Sequence, residues 1–293
     1  MEKITTILVA TDFSEAAQLA IHRAAQLGRE HHAVLEILHV VEEVPPDEEA
    51  QATETFDAAK RELAKLARTV VPVGVSSRQQ VEQGKDFVAI IHRARQIQAG
   101  LIVIGAHGDH APSGSFFGTT AQKLARKASI PLLVVKQSST APYRRMLVAT
   151  DLSSASRQAM EAAMTVAPQA EIDLLHVHRF WGESRLSLAG AGPEDRSRYR
   201  LQYEASVSTM LQEWLEKIDL GGRRVDLHVR QGHPASVISH LAAEREADLV
   251  VMGTTGRSGL PYILLGSVAE KVLQTVPCDA LVVRPQGFRF ELP

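Results

Sequence analysis

One spaced glycine motif occurs twice in this chain, and the repetition constrains the fold more than any other feature. The first copy reads Gly105-x-x-Gly108, nine further residues, then Gly118-Thr119. The second copy reads Gly253-x-x-Gly256, nine further residues, then Gly266-Ser267. Each copy follows a short apolar run and precedes a helical pattern. Both motifs are therefore predicted to lie between a strand and a helix, where α/β proteins bind phosphate groups.

Other segments repeat in the same order, so the motif belongs to a duplicated domain. The segment 7–14 returns as 146–153, which is 139 residues later, whereas everything from Gln83 to Val135 returns 148 residues later. The change in spacing indicates an insertion in the second half, which we place at 179–199. We predict one domain at 1–137, a linker at 138–142 and a second domain at 143–287.

Short apolar runs alternate with helical patterns in each half. We expect strands at about 4–10, 34–41, 73–82, 101–105 and 132–136, and again at about 144–149, 171–177, 225–231, 248–252 and 280–284. Strands without polar alternation are buried on both faces. The pattern predicts an α/β fold of two tandem doubly wound domains, each a five-stranded, mainly parallel sheet with helices on both faces. We expect the closing strands to pair, because pairing covers two exposed sheet edges.

Composition excludes several kinds of function. The chain of 293 residues carries 32 Lys and Arg against 34 Asp and Glu, which does not favour a nucleic-acid or membrane surface. No apolar stretch approaches the roughly 18 residues of a membrane span, and the first residues run straight into a predicted strand, so we expect a cytoplasmic protein. Cys278 is the single cysteine, and we expect a buried structural thiol. The histidine pairs lack the spacing of a zinc site, so no metal site is predicted among them.

The glycines suit a loop that wraps phosphate, because glycine lets backbone N–H groups approach the oxygens closely. An isolated Gly-x-x-Gly more often marks a tight turn. Two copies with the same nine-residue gap, each followed by Thr or Ser, favour the phosphate site instead. Asp12 has a second interpretation as a helix N-cap with Glu15 as its capping partner, whereas Asp151 has no Glu three residues later.

On these residues the chain resembles tandem universal stress proteins. The resemblance is carried by Val-Ala-Thr-Asp-Phe-Ser and Val-Ala-Thr-Asp-Leu-Ser, by the two Leu-His-Val strands, and by the two glycine motifs, and it covers nearly the whole chain. It implies the ATP-binding branch of that family, with Mg²⁺ as the expected companion of ATP. Matched by position, the nucleotide contacts would be Asp12, Val40, Gly105, Gly108, Gly118 and Thr119 in the first half, and Asp151, Val177, Gly253, Gly256, Arg257, Gly266, Ser267 and Val268 in the second.

The two loops differ in charge, since Arg257 stands in the second half where the first has Asp109. A guanidinium attracts phosphate and a carboxylate repels it, so we predict tighter binding in the second half. The catalytic strings of related ATP-using enzymes and the Walker A string are absent. We therefore expect a regulatory ATP-binding protein and no enzyme, an intrachain pseudo-dimer that leaves a homodimer open, and protein partners that the sequence does not identify. A scaffold without nucleotide and a weak ATPase remain the alternatives.

Overall fold

A computed structural model describes residues 3–42, 49–107, 118–138, 141–178, 192–254 and 265–285. Strands and helices alternate through both halves. The strands of the first half are β1 (Thr6–Thr11), β2 (Val34–Val41), β3 (Ser77–Gln83), β4 (Leu101–Gly105) and β5 (Leu132–Val135), and its helices are α1 (Glu15–His31), α2 (Glu49–Val70), α3 (Asp86–Gln96) and α4 (Thr119–Lys127). The second half has β6 (Arg145–Thr150), β7 (Glu171–His178), β8 (Val225–Gln231), β9 (Leu249–Gly253) and β10 (Asp279–Val283), with α5 (Ser154–Val166), α6 (Pro193–Leu215), α7 (Pro234–Glu244) and α8 (Ser267–Thr275).

The ten strands form one sheet in the order β3-β2-β1-β4-β5-β10-β9-β6-β7-β8. All strand pairs within each half are parallel, and only β5 and β10 pair antiparallel. This arrangement confirms the predicted fold class and the predicted pairing of the closing strands. In each half the strand order reverses between the first and fourth strands. A crevice for a ligand is expected at that reversal, at the carboxyl ends of the strands.

Two apolar cores cover the two faces of the sheet, and each core extends through both halves. One core includes α1, α2 and α5, and the other includes α3, α4, α7 and α8. The central strands β4 and β9 are buried along nearly their whole length, as expected for parallel strands with helices on both faces. The halves therefore share their hydrophobic stabilisation, and neither core ends at the linker.

A pseudo-two-fold axis relates the halves. Leu133 pairs with its equivalent Leu281 at the centre of the β5–β10 ladder. Each half also caps a helix of the other. The Lys136 ammonium donates to the carbonyls of Leu273 and Val276 at 2.7 Å each, at the end of α8. Its equivalent, the Arg284 guanidinium, donates to the carbonyls of Ala125 and Arg126 at the end of α4. A cation suits this position because the helix C-terminus carries partial negative charge.

Asp279, at the start of β10, anchors the junction between the halves and is fully buried. One carboxylate oxygen accepts from the backbone N–H groups of Lys136 and Gln137 at 2.8 and 3.0 Å. The other accepts from the Tyr143 hydroxyl at 2.7 Å and lies 3.2 Å from Nε of Arg23, which is itself buried. The fully desolvated pair is balanced by these hydrogen bonds, and leaving either charge alone would be costly.

One further sequence prediction concerns this region. Cys278 is buried, as predicted, and burial raises the pKa of its thiol to about 12. Burial also lowers the pKa of Lys136 to about 8, against an opposing effect of Cys278 and Asp279. Among the described residues, no helix is both long enough and apolar enough to cross a membrane.

Candidate functional site

The reversal of strand order in the second half holds a cavity of about 470 Å³. The carboxyl ends of β6, β7 and β9 form its floor, and the first turns of α7 and α8 form its walls. Its volume falls within the range of about 300–1,000 Å³ that is usual for small-molecule sites. The structure therefore places a ligand-sized cavity where the strand order alone predicts one.

Predicted contact residues of the second half come together around this cavity. They are Asp151, Val177, Gly253, Gly266, Ser267 and Val268. Gly256 and Arg257 lie outside the described residues, as do Gly108 and Asp109 of the first half. Apolar side chains supply much of the remaining lining, including Leu175, Pro234, Ile238, Met252 and Leu265. The cavity thus combines an apolar surface with a few polar groups, the composition usual for a nucleoside-sized ligand.

The turn that follows β6 holds Asp151 in place. Ser153 donates to Oδ1 of Asp151 through its backbone N–H at 3.1 Å and through its hydroxyl at 2.5 Å. The hydroxyl of Thr150 accepts from the backbone N–H of Leu152 at 2.9 Å, and Leu152 has a φ of 65°. A left-handed conformation is unfavourable for a non-glycine residue and persists only where neighbouring contacts enforce it. The strain is thus held by hydrogen bonds that also orient the carboxylate.

The first half makes the same turn after β1. Asp12 accepts from the N–H and hydroxyl of Ser14, and Thr11 accepts from the N–H of Phe13, which has a φ of 68°. The interpretation of Asp12 as the helix N-cap is wrong. Ser14 is the N-cap of α1, and its hydroxyl accepts from the backbone N–H of Ala17 at 3.2 Å. The capping serine leaves the preceding carboxylate outside the helix, at the strand end.

The N-terminus of α8 faces the cavity. Gly266 is the N-cap residue and provides no side-chain acceptor, so within the described residues the N-cap position offers no side-chain cap to the first backbone N–H groups of the helix. Ser267, Val268 and Ala269, which form this first turn, all line the cavity. Free N–H groups and the positive end of the helix dipole favour an anionic group at this end.

Among the residues that the structure describes, two polar atoms of the cavity lining have no hydrogen-bond partner. They are Oδ2 of Asp151 and Oγ1 of Thr254, and both atoms are buried. Nearly all buried polar atoms in proteins are paired, so an unpaired one requires an explanation. A bound polar ligand supplies one, because it would bring the missing partners into the cavity.

The first half has the same framework and different side chains around it. Gly105 ends β4, Gly118 is the N-cap of α4, Thr119 opens that helix, and Asp12 and Val40 belong to the ends of β1 and β2. Where the second half has Pro234 and Val268, the first has Asp86 and Thr120, and the Thr120 hydroxyl donates to the Asp86 carboxylate. Lys123 lies 3.8 Å from the Asp86 carboxylate, so the first half has a polar, ion-paired cluster where the second half has two apolar side chains.

Sequence reasoning missed several of these groups. Thr150 and Ser153 orient the cavity carboxylate, and Thr254 contributes an unpartnered hydroxyl. The repeated string Thr-Asp-x-Ser carried a detectable signal for the first two, because Asp and Ser side chains hydrogen-bond to backbone groups two residues away in tight turns. No comparable signal marked Thr254, whose equivalent position in the first half is Ala106. Within the described residues, no group of three or more His, Cys, Asp or Glu side chains could hold a metal ion.

Comparison with known proteins gives a family match over both halves. The family model described as the universal stress protein family matches residues 3–136 and again 142–284. A universal stress protein of Mycolicibacterium smegmatis is 28% identical over 296 residues, covering 96% of this chain and 97% of that protein. Universal stress protein YxiE of Bacillus subtilis is 36% identical over 149 residues, which is 48% of this chain and 99% of that protein.

A solved structure matches the whole arrangement. The crystal structure of a universal stress protein from Archaeoglobus fulgidus superimposes with a TM-score of 0.71 at 20% identity, covering 95% of this chain and 98% of that one. At this identity the likeness shows the fold alone. It agrees with two tandem domains joined in one continuous arrangement.

Proposed function

The chain belongs to the universal stress protein family, and from that premise we propose that it is a regulatory protein that binds ATP, with Mg²⁺, in the cavity of its second half. The observation that carries the proposal is the convergence of six residues, predicted from sequence, on one cavity at the N-terminus of α8. A helix N-terminus that opens beside a ligand-sized apolar cavity suits a molecule with an apolar ring at one end and phosphates at the other.

The chemistry of the lining supports a nucleotide from one end to the other. Val177 and Leu175 offer an apolar surface to the base. The unpartnered Oδ2 of Asp151 can accept from a ribose hydroxyl or an amino group. The first turn of α8 offers backbone N–H groups to phosphate oxygens, and the Ser267 hydroxyl can donate to phosphate or help to hold Mg²⁺. Each polar part of the ligand would thus meet a complementary group.

We propose regulation over catalysis because the described residues of the cavity lining offer binding groups without an evident general base. The residues around the cavity include Asp151 as a carboxylate, and its turn uses Oδ1 to hold Ser153. Rapid phosphoryl transfer requires a group that positions the nucleophile as well as groups that bind the phosphates. Steady release of ADP at ~1 s⁻¹ or faster, which lies in the ordinary enzyme range, would replace this proposal with an ATPase.

The test begins with the purified full chain. Mass spectrometry of small molecules released on denaturation should identify an adenine nucleotide, and calorimetry with Mg-ATP should show saturable binding. Absence of both would leave the scaffold function in its place.

A matched pair of variants locates the site. Asp151→Asn keeps an oxygen for Ser153 and replaces the unpartnered acceptor with a donor, so we expect at least tenfold weaker ATP binding. The equivalent change Asp12→Asn in the first half serves as the control and should leave the tighter binding event in place. The reverse outcome, with Asp12→Asn removing the tighter event, would assign the main site to the first half.

A further inference from the structure

Thr254 lines the cavity and carries a buried hydroxyl. The residue is 2% exposed, and its Oγ1 has no hydrogen-bond partner in the part of the chain that the structure describes. A buried hydroxyl without a partner lowers the stability of the protein that carries it. The described residues therefore leave this hydroxyl, which belongs to a residue lining the cavity, without a hydrogen-bond partner.

The fold does not require that hydroxyl, as the other half demonstrates. Ala106 stands at the equivalent position, and the backbone hydrogen bonds around it are the same. In the second half, Thr254 N–H donates to the Val283 carbonyl at 3.0 Å, and Gly266 N–H donates to the Thr254 carbonyl at 2.8 Å. In the first half, the same two bonds join Ala106 to the equivalent partners at 3.0 and 2.8 Å. The hydroxyl is thus an addition to a framework that forms without it.

The strand order places Thr254 at one end of the proposed ligand. The strands lie in the order β9-β6-β7, so a ligand across their carboxyl ends would pass over Val177 of β7, then Asp151 after β6, then Thr254 after β9. The Thr254 carbonyl accepts a hydrogen bond from the N–H of Gly266, the N-cap of α8, and this end of the helix favours an anion. The apolar end therefore lies on the β7 side and the anionic end on the Thr254 side.

We propose that Thr254 is a phosphate-binding residue that distinguishes the second site from the first, its hydroxyl donating to a phosphate oxygen of the nucleotide. The proposal rests on the proposed function and adds the contact that sets the difference between the sites. Ala106 cannot make this contact, so the first site holds the same phosphate with one donor fewer. A hydroxyl that donates to a charged oxygen makes one of the stronger hydrogen bonds in proteins.

The experiment compares Thr254→Val, Thr254→Ser and wild type by calorimetry, with ATP and with adenosine as ligands. Valine has nearly the shape of threonine and lacks the hydroxyl, whereas serine keeps the hydroxyl. We expect Thr254→Val to bind ATP at least tenfold more weakly and adenosine with unchanged affinity, and Thr254→Ser to bind both as wild type does. Without ligand, Thr254→Val should melt at the wild-type temperature or above, because the unpaired polar group is gone.

Three outcomes distinguish a failure of the Thr254 phosphate contact from a failure of the proposed ATP-binding function. If wild type binds ATP and Thr254→Val binds it equally well, the phosphate contact is wrong and the proposed function stands. If Thr254→Val weakens ATP and adenosine by the same factor, the hydroxyl contacts the nucleoside and the assignment to phosphate is wrong. If wild type binds neither ATP nor adenosine, the proposed function itself is wrong, and this inference is wrong with it.

Discussion

After β1 and after β6, the two halves make the same turn with the same hydrogen bonds, whereas around the helices that follow the glycine motifs they differ. Both turns hold a residue with positive φ next to an aspartate that accepts from a serine. Around the helices, the first half has Ala106, Asp86 and Thr120 at the positions where the second half has Thr254, Pro234 and Val268. Side chains can differ at these positions while the strands and helices keep their arrangement. We therefore expect the two sites to bind ligand differently.

The largest expected effect tests how much the contact between the two halves contributes to the free energy of unfolding. Asp279 has no acidic equivalent in the first half, where Pro131 occupies its position. Asp279→Asn leaves the buried Arg23 without its counter-charge, and we expect a loss of about 3–5 kcal/mol in the free energy of unfolding. Urea denaturation measures the loss. The control Glu62→Gln, in an exposed pair with Lys65, should cost about 1 kcal/mol or less. Equal small losses for both variants would show that the junction contributes little.

Replacing the two glycines that end β4 and β9 by alanine should lower the free energy of unfolding by unequal amounts. A Cβ on Gly105 would lie 2.6 Å from the Ala16 carbonyl oxygen, whereas a Cβ on Gly253 would approach the Ala155 backbone no closer than 3.3 Å. Gly105→Ala forces the backbone of α1 to move, and we expect it to cost about 1–3 kcal/mol by urea denaturation. Gly253→Ala should cost clearly less. Equal losses would mean that the helices sit equally close in both halves.

Lys136 and Arg284 each cap a helix of the other half, and they differ in the pH at which they titrate. The pKa of Lys136 is lowered to about 8, so between pH 8 and its ordinary value near 10.5 the unfolded chain binds more protons than the folded one. Stability contributed by this residue therefore rises with pH in that window, by about 1 kcal/mol from pH 8 to pH 9. The difference in unfolding free energy between wild type and Lys136→Met should grow by that amount.

Arg284→Met provides the matched control for this pH effect. Burial lowers the pKa of Arg284 only to about 10, so its difference from wild type should change little between pH 8 and pH 9. Parallel pH profiles for the two variants would contradict the assignment of the effect to Lys136.

The smallest expected effect concerns Asp86 beside the first site, where the carboxylate is ion-paired with Lys123. Asp86→Asn keeps a partner for Thr120 and removes a negative charge near the N-terminus of α4. In an Asp151→Asn background, where the second site is weakened, we expect ATP affinity at the first site to rise about two- to fivefold, which is the scale of a half-exposed charge. Glu62→Gln on α2, which packs on the opposite sheet face, is the control. Unchanged or weaker binding in Asp86→Asn would show that this carboxylate helps the site.

The repeat made much of the fold predictable, because buried parallel strands are short apolar runs and the glycine motifs mark their ends. The prediction that began the third strand at 73 was wrong, since β3 begins at Ser77. Val73 is fully exposed and Gly74 has a φ of 91°, so the chain turns before the strand begins. Helix α6 begins at Pro193, within the segment 179–199 where we placed the insertion, because proline suits the first helical position.

Long-range pairs could not be predicted from either repeat. Asp279, Arg23 and Tyr143 meet only after the two halves pack together, and nothing local in the sequence distinguishes Arg23 from other helix-surface arginines. The candidate site was more accessible to prediction, because its residues belong to strings that occur twice. Its two unpartnered atoms became apparent only in three dimensions, since pairing depends on what surrounds each atom.

The contact between Gln122 and Glu270 has a consequence for symmetry. These equivalent residues face each other across the pseudo-two-fold axis, with the Gln122 amide donating to the Glu270 carboxylate at 2.5 Å and Arg126 adding a second contact at 3.1 Å. A dimer of identical subunits must set each axial residue against its own copy, so the same position there would bring two glutamates or two glutamines together. Because the two halves belong to one chain, the two equivalent positions can carry different residues. An acid that faces an amide and an arginine fits each half to the other, so two identical copies of either half would lose this contact.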